Sequence, residues 1–128
     1  MLLDITIKRQ IDNPRHTTVT VELGGSLDTS TAPELEAQLQ AALDDDVKDL
    51  VFDLAKLTFI SSAGLRVFAA TRKILKQRGE QVSFVNLQPQ IKEVFEIVKA
   101  LPGVSVFGSS AEFDTYLGTR QRKILEGE

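Results

Sequence analysis

The 128-residue sequence contains no cysteine and only one histidine, His16. Without cysteine there can be no disulfide framework, zinc–thiolate site or cysteine nucleophile. No apolar run approaches the roughly 20 residues that cross a bilayer, and the N-terminus lacks the basic-then-apolar order of a signal peptide. These absences predict a cytoplasmic protein that does not insert into a membrane.

The usual signals of catalysis are also missing. His16 falls in a predicted hairpin, where we expect an exposed residue at a strand end, and no spacing brings it to a serine. Neither a Gly-x-Ser-x-Gly nucleophile elbow nor a glycine-rich phosphate loop is present. The acidic run Asp44–Asp46 is contiguous, so its carboxylates are not spaced to converge on a metal ion, and we interpret it as a solvated loop. We therefore expect no catalytic residues, no metal and no cofactor.

The composition is that of an ordinary globular protein, with 42% hydrophobic and 26% charged residues. A chain of this length corresponds to one domain, so residues 1–128 are predicted to form a single unit. The formal net charge is −3. Direct binding to nucleic acid normally requires a basic surface, and we do not expect it here.

The pattern of apolar residues predicts an α/β fold. Apolar residues alternate with polar ones in Leu3–Ile7 and Val19–Leu23, which predicts an N-terminal hairpin whose second strand ends at Gly24-Gly25. Further strands are predicted at Leu50–Leu54, Val82–Leu87 and Val104–Phe107, and helices near Thr31, at Ser62–Arg78, from Pro89 and after Ser109. Strands separated by helices require crossovers, so we expect a mixed, mostly parallel sheet of about five strands with about four helices packed on it.

Some local details follow from the same patterns. The nearly continuous apolar run Leu50–Leu54 predicts a strand that is covered on both faces. Thr31 with Glu34, and Ser109 with Glu112, are spaced as capping boxes at helix starts. The inward-facing residues of the last helix are predicted to be Phe113, Tyr116 and Leu117.

One segment, Leu57–Arg66, combines the end of a buried strand with the start of a helix and carries Ser61 and Ser62 at the junction. Either hydroxyl could cap an unpaired backbone N–H of that helix. The same position suits a phosphate, because a helix N-terminus carries partial positive charge. A phosphoserine there would add about −1.5 to −2 charges without melting the helix. Both interpretations follow from the spacing, and the second requires an accessible hydroxyl at the helix tip.

Two motifs make the chain resemble the STAS domain family, specifically the bacterial anti-sigma factor antagonists. Gly25–Asp28, followed by a helix near Thr31, is similar to the stretch that follows the second strand in the family. Phe52–Leu54 followed by Ile60–Leu65 is similar to the strand and switch segment of the family. The resemblance extends over nearly the whole chain in the order of its segments, and it implies the STAS fold.

The resemblance also implies a mechanism, partner switching. Members of the family bind a serine kinase that doubles as an anti-sigma factor, are released when that kinase phosphorylates them, and are reset by a phosphatase. Alignment without gaps places the phosphoserine on Ser62, with Asp28 and Asp53 at flanking polar positions. Ser61 stands where the family usually has an acidic residue before the phosphoserine, which makes Ser61 the alternative site of phosphorylation. Ala63 follows Ser62.

The surface expected to bind the partner consists of Asp28, Ser61, Ala63, Gly64, Leu65 and Arg66. The small side chains of Ala63 and Gly64 would leave room for another backbone to approach, and Arg66 would lie at the rim. An alternative is a STAS subunit that is not phosphorylated and serves a transport or signalling complex or binds an anion or nucleotide. A hydrolase that uses Ser62 is a third possibility, for which the sequence offers no base.

Overall fold

The computed structural model describes residues 2–13, 16–100 and 110–127. Its strands are β1 (Leu3–Asn13), β2 (His16–Leu27), β3 (Val47–Ile60) and β4 (Gln81–Val85), and its helices are α1 (Ala32–Ala42), α2 (Ser62–Gln77), α3 (Pro89–Ala100) and α4 (Ser110–Leu125). The predicted strand Val104–Phe107 and the predicted cap at Ser109 lie outside the described residues. None of the helices in the described part of the chain is long and apolar enough to cross a membrane.

The strands form one mixed sheet in the order β1-β2-β3-β4. β1 and β2 are antiparallel, whereas β2 with β3 and β3 with β4 are parallel. The parallel pairs are possible because α1 and α2 carry the chain back across the sheet between successive strands. The predicted mixed, mostly parallel sheet with an N-terminal hairpin is therefore confirmed, with four strands in the described residues.

The sheet is fully covered on one face only. Leu50, Phe52 and Leu54 of β3 are completely buried, while Val51 and Asp53 between them are only half-buried. The opposite face is polar, and it includes an ion pair between Lys8 Nζ and Glu22 Oε1 at 2.9 Å. The prediction that this strand is covered on both faces was wrong, because a run of apolar residues does not reveal which face the helices occupy.

A cluster of four aromatic rings joins α2 to the sheet and to α3. The ring of Phe68 on α2 lies 4.8 Å from that of Phe52 on β3 and 5.1 Å from that of Phe84 on β4. Phe84 in turn meets Phe95 of α3 at 5.2 Å in an edge-on arrangement. Such ring pairs each contribute about 0.5–1.5 kcal/mol beyond the area they bury. The position of α2 over the sheet is therefore well determined.

β2 and β3 are longer than predicted, and this brings their ends together. β2 continues through Gly24-Gly25, where its register against β3 shifts, and Gly25 has a φ of +91°. These glycines allow irregular pairing within the strand and do not terminate it, contrary to the prediction. β2 ends at Leu27 and β3 at Ile60, and these two residues are paired neighbours.

Candidate functional site

The site is built where β2 and β3 end side by side. The carbonyl of Leu27 accepts a hydrogen bond from the backbone N–H of Ser61 at 2.9 Å, just beyond the last paired residues. Asp28 therefore follows one strand and Ser61 follows its neighbour at the same edge of the sheet. In sheets of this kind, functional groups are commonly found at the carboxyl ends of parallel strands. The sequence prediction that Asp28 and the two serines share one region is consistent with this geometry.

Ser62 is the first residue of α2, and a remote carboxylate holds it. Its backbone N–H donates to Asp114 Oδ1 at 2.7 Å, and its hydroxyl donates to Asp114 Oδ2 at 2.9 Å. Asp114 lies on α4, 52 residues further along the chain. Ser62 is only 4% exposed, so the expectation of an accessible hydroxyl at the helix tip is wrong. The negative charge of Asp114 is well placed there, because it satisfies a free N–H at the positive end of the helix.

Ser61 precedes α2 in extended conformation, with a φ of −105° and a ψ of 176°. Its hydroxyl does not cap the helix, and among the described residues it is the one buried side-chain oxygen without a hydrogen-bond partner. The hydroxyl of Ser62 donates to Asp114 and accepts from Arg66 Nη1, and within the described residues it accepts from no backbone N–H of the helix. The capping prediction was therefore wrong for both serines, since Asp114 supplies the acceptor at this helix start.

Asp28 organises the loop before α1. Its Oδ1 accepts from the backbone N–H of Ser30 at 2.9 Å, from the hydroxyl of Ser30 at 2.7 Å and from the N–H of Thr31 at 3.2 Å. The hydroxyl of Ser26 donates to Oδ2 at 3.3 Å. Burial raises the pKa of Asp28, but the hydrogen bonds from Ser30, Thr31 and Ser26 together lower it by more than burial raises it. The pKa of Asp28 therefore lies below its ordinary value of 3.8.

The predicted capping box at Thr31 and Glu34 does not form. Thr31 is the N-cap residue of α1, but its side chain makes no capping hydrogen bond. Its hydroxyl donates instead to the carbonyl of Ser26 at 2.8 Å. Asp28 makes the competing contacts, because it can bond backbone N–H groups two and three residues ahead of it.

The space beside Gly64 is filled by the protein's own core. A Cβ atom added at Gly64 would lie 2.6 Å from Leu27 Cγ and 3.0 Å from Ile60 Cγ1. The small residue therefore allows α2 to approach the ends of β2 and β3. The interpretation that Gly64 leaves room for the backbone of a partner was wrong.

The other predicted contact residues lie at or near the surface of α2. Ala63 is 9% exposed, Leu65 is half-buried and Arg66 is exposed. Nη1 of Arg66 lies 3.5 Å from the Ser62 hydroxyl oxygen. Ala63 and Arg66 also line a groove of about 690 Å³ between α1 and α2, together with Ile74 and others. Arg66 therefore lies beside Ser62 and lines this groove, and its role in binding a partner stays a prediction.

Two residues discussed from the sequence lie elsewhere. Asp53 is at the middle of β3, opposite Val85, and its Oδ1 accepts from Asn86 Nδ2 at 3.2 Å. At ~3.3 Å per residue it is about 23 Å from the end of its strand, so it does not flank Ser62 and that expectation was wrong. His16 begins β2, at the opposite end of the sheet, and it is half-buried beside Asp49, with Nε2 2.9 Å from Oδ2.

Sequence reasoning missed the polar residues that α4 contributes. Asp114 contacts Ser62, and Gln121 is 1% exposed with its side chain bonded to the backbone of Ile60. Phe113 and Leu117 are buried as predicted, but Tyr116 is 38% exposed. Asp114, Leu117 and Gln121 stand at positions i, i+3 and i+7, so they share one helix face. The sequence did carry a signal for these contacts, because the polar residues Asp114 and Gln121 fall on the same face of α4 as the buried Leu117.

The STAS domain family model matches residues 8–113. The chain belongs to the STAS family. The match includes β2, β3 and α2 completely, and so covers the two strand ends and Ser62. Asp114 lies just beyond its end.

Named proteins similar to this STAS domain are antagonists of anti-sigma factors. It is 41% identical over 75 residues to BtrV of Bordetella bronchiseptica, provisionally named an anti-sigma factor antagonist, and this match covers 59% of the chain and 65% of BtrV. It is 34% identical over 77 residues to the anti-sigma-B factor antagonist of Staphylococcus aureus, covering 60% of the chain and 71% of that protein.

Solved structures support the assignment of the fold. The unphosphorylated form of the anti-sigma factor antagonist SpoIIAA aligns with a TM-score of 0.57 and 19% identity, covering 72% of this STAS domain and 83% of SpoIIAA. An anti-sigma factor antagonist from Mycobacterium paratuberculosis aligns with a TM-score of 0.57 and 24% identity, covering 79% and 84% of the two chains. At these identities the likeness concerns the fold.

Proposed function

We propose that this STAS domain is an anti-sigma factor antagonist, a cytoplasmic interaction module without enzymatic activity. It binds an anti-sigma factor that is also a serine kinase, through the surface around the start of α2. Phosphorylation of Ser62, which requires Asp114 of α4 to move off the buried hydroxyl first, releases it, and a serine phosphatase resets it. The observation that carries the proposal is the position of Ser62, the first residue of α2, beside an exposed arginine and next to the groove between α1 and α2.

The groove gives the partner a surface that combines apolar and charged groups. Ile74 is 46% exposed on its α2 wall, and Ala63 and Arg66 line the end nearest Ser62. Apolar area with a charged rim is the usual composition of protein–protein contacts. We therefore assign Ala63 and Arg66 to the contact, with Asp28 and Gly64 shaping the backbone beneath it. Leu65 lies on the other side of α2, beside Phe95 of α3, and not in this groove.

A phosphate at Ser62 would oppose such a contact. It would place a dianion inside a packed interface, where an unpaired charge costs several kcal/mol. A difference of about 3 kcal/mol between the two states corresponds to a roughly 150-fold change in affinity. This is enough to move a partner from one complex to another.

The surroundings of Ser62 suit a phosphate better than those of Ser61. The oxygen of Ser62 has Arg66 Nη1 at 3.5 Å, a cation that could pair with a phosphate. The oxygen of Ser61 is buried without any hydrogen-bond partner in the described residues. A phosphate on Ser61 would therefore lack compensating charge.

The alternatives receive less support from the contacts. Asp114 already places a carboxylate on the N-terminus of α2, which disfavours an anion or nucleotide there. The same carboxylate could act as a base toward Ser62, but the hydroxyl is 4% exposed, so an ester substrate, like a kinase, would reach it only after Asp114 moves away.

The proposal is tested by measuring the affinity for an anti-sigma-type serine kinase from the same host. Ser62→Asp is expected to fold and to bind about 150-fold more weakly than wild type, while Ser62→Ala binds within about threefold. Ala69→Asp is the matched control, because it adds the same charge to an exposed position of α2 outside the groove. Equal binding by wild type and Ser62→Asp would contradict the proposal and favour a subunit that is not regulated by phosphorylation.

A further inference from the structure

The outer edge of β1 carries backbone groups that bond to no other strand. β1 pairs with β2 on one side, and in the described part of the chain no strand pairs with its other side. The N–H of Ser26 donates to the carbonyl of Leu2, just before β1, at 3.1 Å. In an antiparallel pair, the residues that bond to the neighbouring strand alternate with those that do not. The even-numbered residues of β1 therefore bond to β2, and the odd-numbered residues from Leu3 to Ile11 point their N–H and C=O groups outward.

The far side of β2 gives an independent check of this alternation. The N–H of Thr17 donates to the carbonyl of Asp46, just before β3, at 2.9 Å, and the carbonyl of Leu27 accepts from Ser61, just after β3. The odd-numbered residues of β2 thus face β3, which leaves its even-numbered residues to face β1. Both sides of β2 agree that the free edge of β1 consists of odd-numbered residues.

This edge is long and regular. The pairing of β1 with β2 continues from Leu3 to Ile11 without a shift, and its first irregularity follows Ile11. The strand contains neither proline nor glycine. Proteins usually protect such an edge from other strands with a proline, a bulge or outward charges. Before Ile11, only charged side chains could protect the edge of β1.

The charged side chains of β1 do not block a second copy of the same strand. Nη2 of Arg9 pairs with Asp44 Oδ2 at 2.8 Å, so this side chain is held against the loop after α1. Asp4 and Lys8 are exposed on the polar face of the sheet and have opposite charges. They lie two residues to either side of Thr6. An antiparallel copy centred on Thr6 would therefore place each of them opposite the other.

We propose that β1 pairs with β1 of a second copy of this chain, antiparallel, about a twofold axis that passes through Thr6 perpendicular to the sheet. In this register Ile5 lies opposite Ile7 of the second copy, and the outward N–H and C=O groups of both residues bond to each other. The pair of Asp4 and Lys8 forms twice, once on each side of the axis. The two four-stranded sheets join into one continuous sheet.

Charge selects this register and this partner. Moving the axis one residue further along β1 would place Asp4 opposite Gln10, and the carboxylate would then face no cation. Lys8 also contacts Glu22 of its own chain, but an ammonium group has three donors and can bind a second carboxylate. A strand that is complementary to itself is what a twofold contact between identical copies requires. The proposal makes no use of Ser62 and goes beyond the proposed function.

Sedimentation equilibrium of two single variants and of their mixture tests the pairing. Asp4→Lys would place lysine opposite lysine, and Lys8→Asp would place aspartate opposite aspartate. Each variant alone is expected to self-associate about tenfold more weakly than wild type, because symmetry repeats the repulsive pair. An equimolar mixture restores opposite charges at both pairs and should associate within about threefold of wild type. Glu126→Lys, the same change of charge at an exposed position after α4, is the control and should associate like wild type.

Recovery on mixing is the decisive result, since two misfolded variants would not regain association when they are combined. A wild-type protein that stays monomeric at millimolar concentration would overturn the pairing and leave the edge to a strand of another protein. A mixture that associates no better than the single variants, or equal weakening by Glu126→Lys, would overturn it as well. None of these measurements involves a kinase, so the proposed function is tested separately.

Discussion

The starts of α1 and α2 are neighbours in space but are stabilised in different ways. Each helix follows the end of a parallel strand, β2 or β3, and the two strand ends are paired. The backbone at the start of α1 bonds to Asp28, a residue of its own loop. The backbone at the start of α2 bonds to Asp114, which another helix contributes. One helix start is therefore stabilised locally and the other by tertiary structure.

The difference has a consequence for function. A local cap remains whenever its loop is folded, so the start of α1 offers a constant surface beside the groove. A remote cap can be removed by moving the element that supplies it, and only the start of α2 has this property. Ser62 lies at this remote cap, where a change of charge would act directly on the contact with Asp114 of α4.

The largest effect on stability is expected at the local cap. Asp28→Ala removes the hydrogen bonds from Ser30, Thr31 and Ser26 together, and we expect it to lower the free energy of unfolding by about 2 kcal/mol at pH 7. Urea denaturation would measure the change. A larger loss in the free energy of unfolding for Asp114→Ala than for Asp28→Ala would contradict the predicted ranking of the two helix starts.

Asp28→Ala also tests how the stability of the protein depends on pH. The pKa of Asp28 is lowered in the folded protein, below its ordinary value of 3.8. Its contribution to stability is therefore complete above pH 3.8 and is lost as pH falls through the lower, folded-state pKa. The difference between wild type and Asp28→Ala should be constant near neutral pH and shrink below pH 3.8. A difference that grows on acidification would contradict the assigned direction.

A smaller effect is expected at the remote cap. Asp114→Ala removes two hydrogen bonds and a favourable charge at the end of α2, and we expect a loss of about 1 kcal/mol. The loss is limited because water can reach the freed N–H once the half-buried side chain is gone. Thr115→Ala on the exposed side of α4 is the control, and it should change stability by less than about 0.5 kcal/mol. Equal losses in the two variants would mean that Asp114 does not cap α2.

The smallest effect is expected at Ser61, between the two caps. Its buried hydroxyl makes no hydrogen bond in the described structure, so Ser61→Ala removes no interaction and relieves a desolvation cost. Thermal unfolding should show a stability within about 0.5 kcal/mol of wild type, or slightly higher. A loss above about 1 kcal/mol would reveal a hydrogen bond of Ser61 and weaken the preference for Ser62.

The comparison also shows what the sequence can predict. The N-terminal hairpin, the start of α2 and the order of the elements follow from patterns within a few residues, and the described residues agree with them; the predicted strand Val104–Phe107 lies outside those residues. The side-chain hydrogen bonds before α1 were assigned to Thr31 and not to Asp28, because both residue types favour such bonds and spacing alone does not choose between them. The ends of β2 and β3 were placed too early, since glycines and polar residues inside a bulged strand resemble those of a turn.

The remote contacts could not be predicted from local patterns. Asp114 and Gln121 act on residues more than 50 positions earlier in the chain, and although their place on the apolar face of α4 marks them as unusual, it does not identify their partners. The exposure of Ser62 depended on the same contact, so it was predicted wrongly for the same reason. In the structure, Asp114 of α4 bonds the hydroxyl, and no local pattern around Ser62 indicates that contact.

The most direct test of the central claim is to map the phosphate after incubating the protein with an anti-sigma-type serine kinase from the same host and ATP. Mass spectrometry of the peptides should find one phosphate, on Ser62, and none in Ser62→Ala. A phosphate on Ser61, or no phosphate on a protein that the kinase binds, would contradict the account.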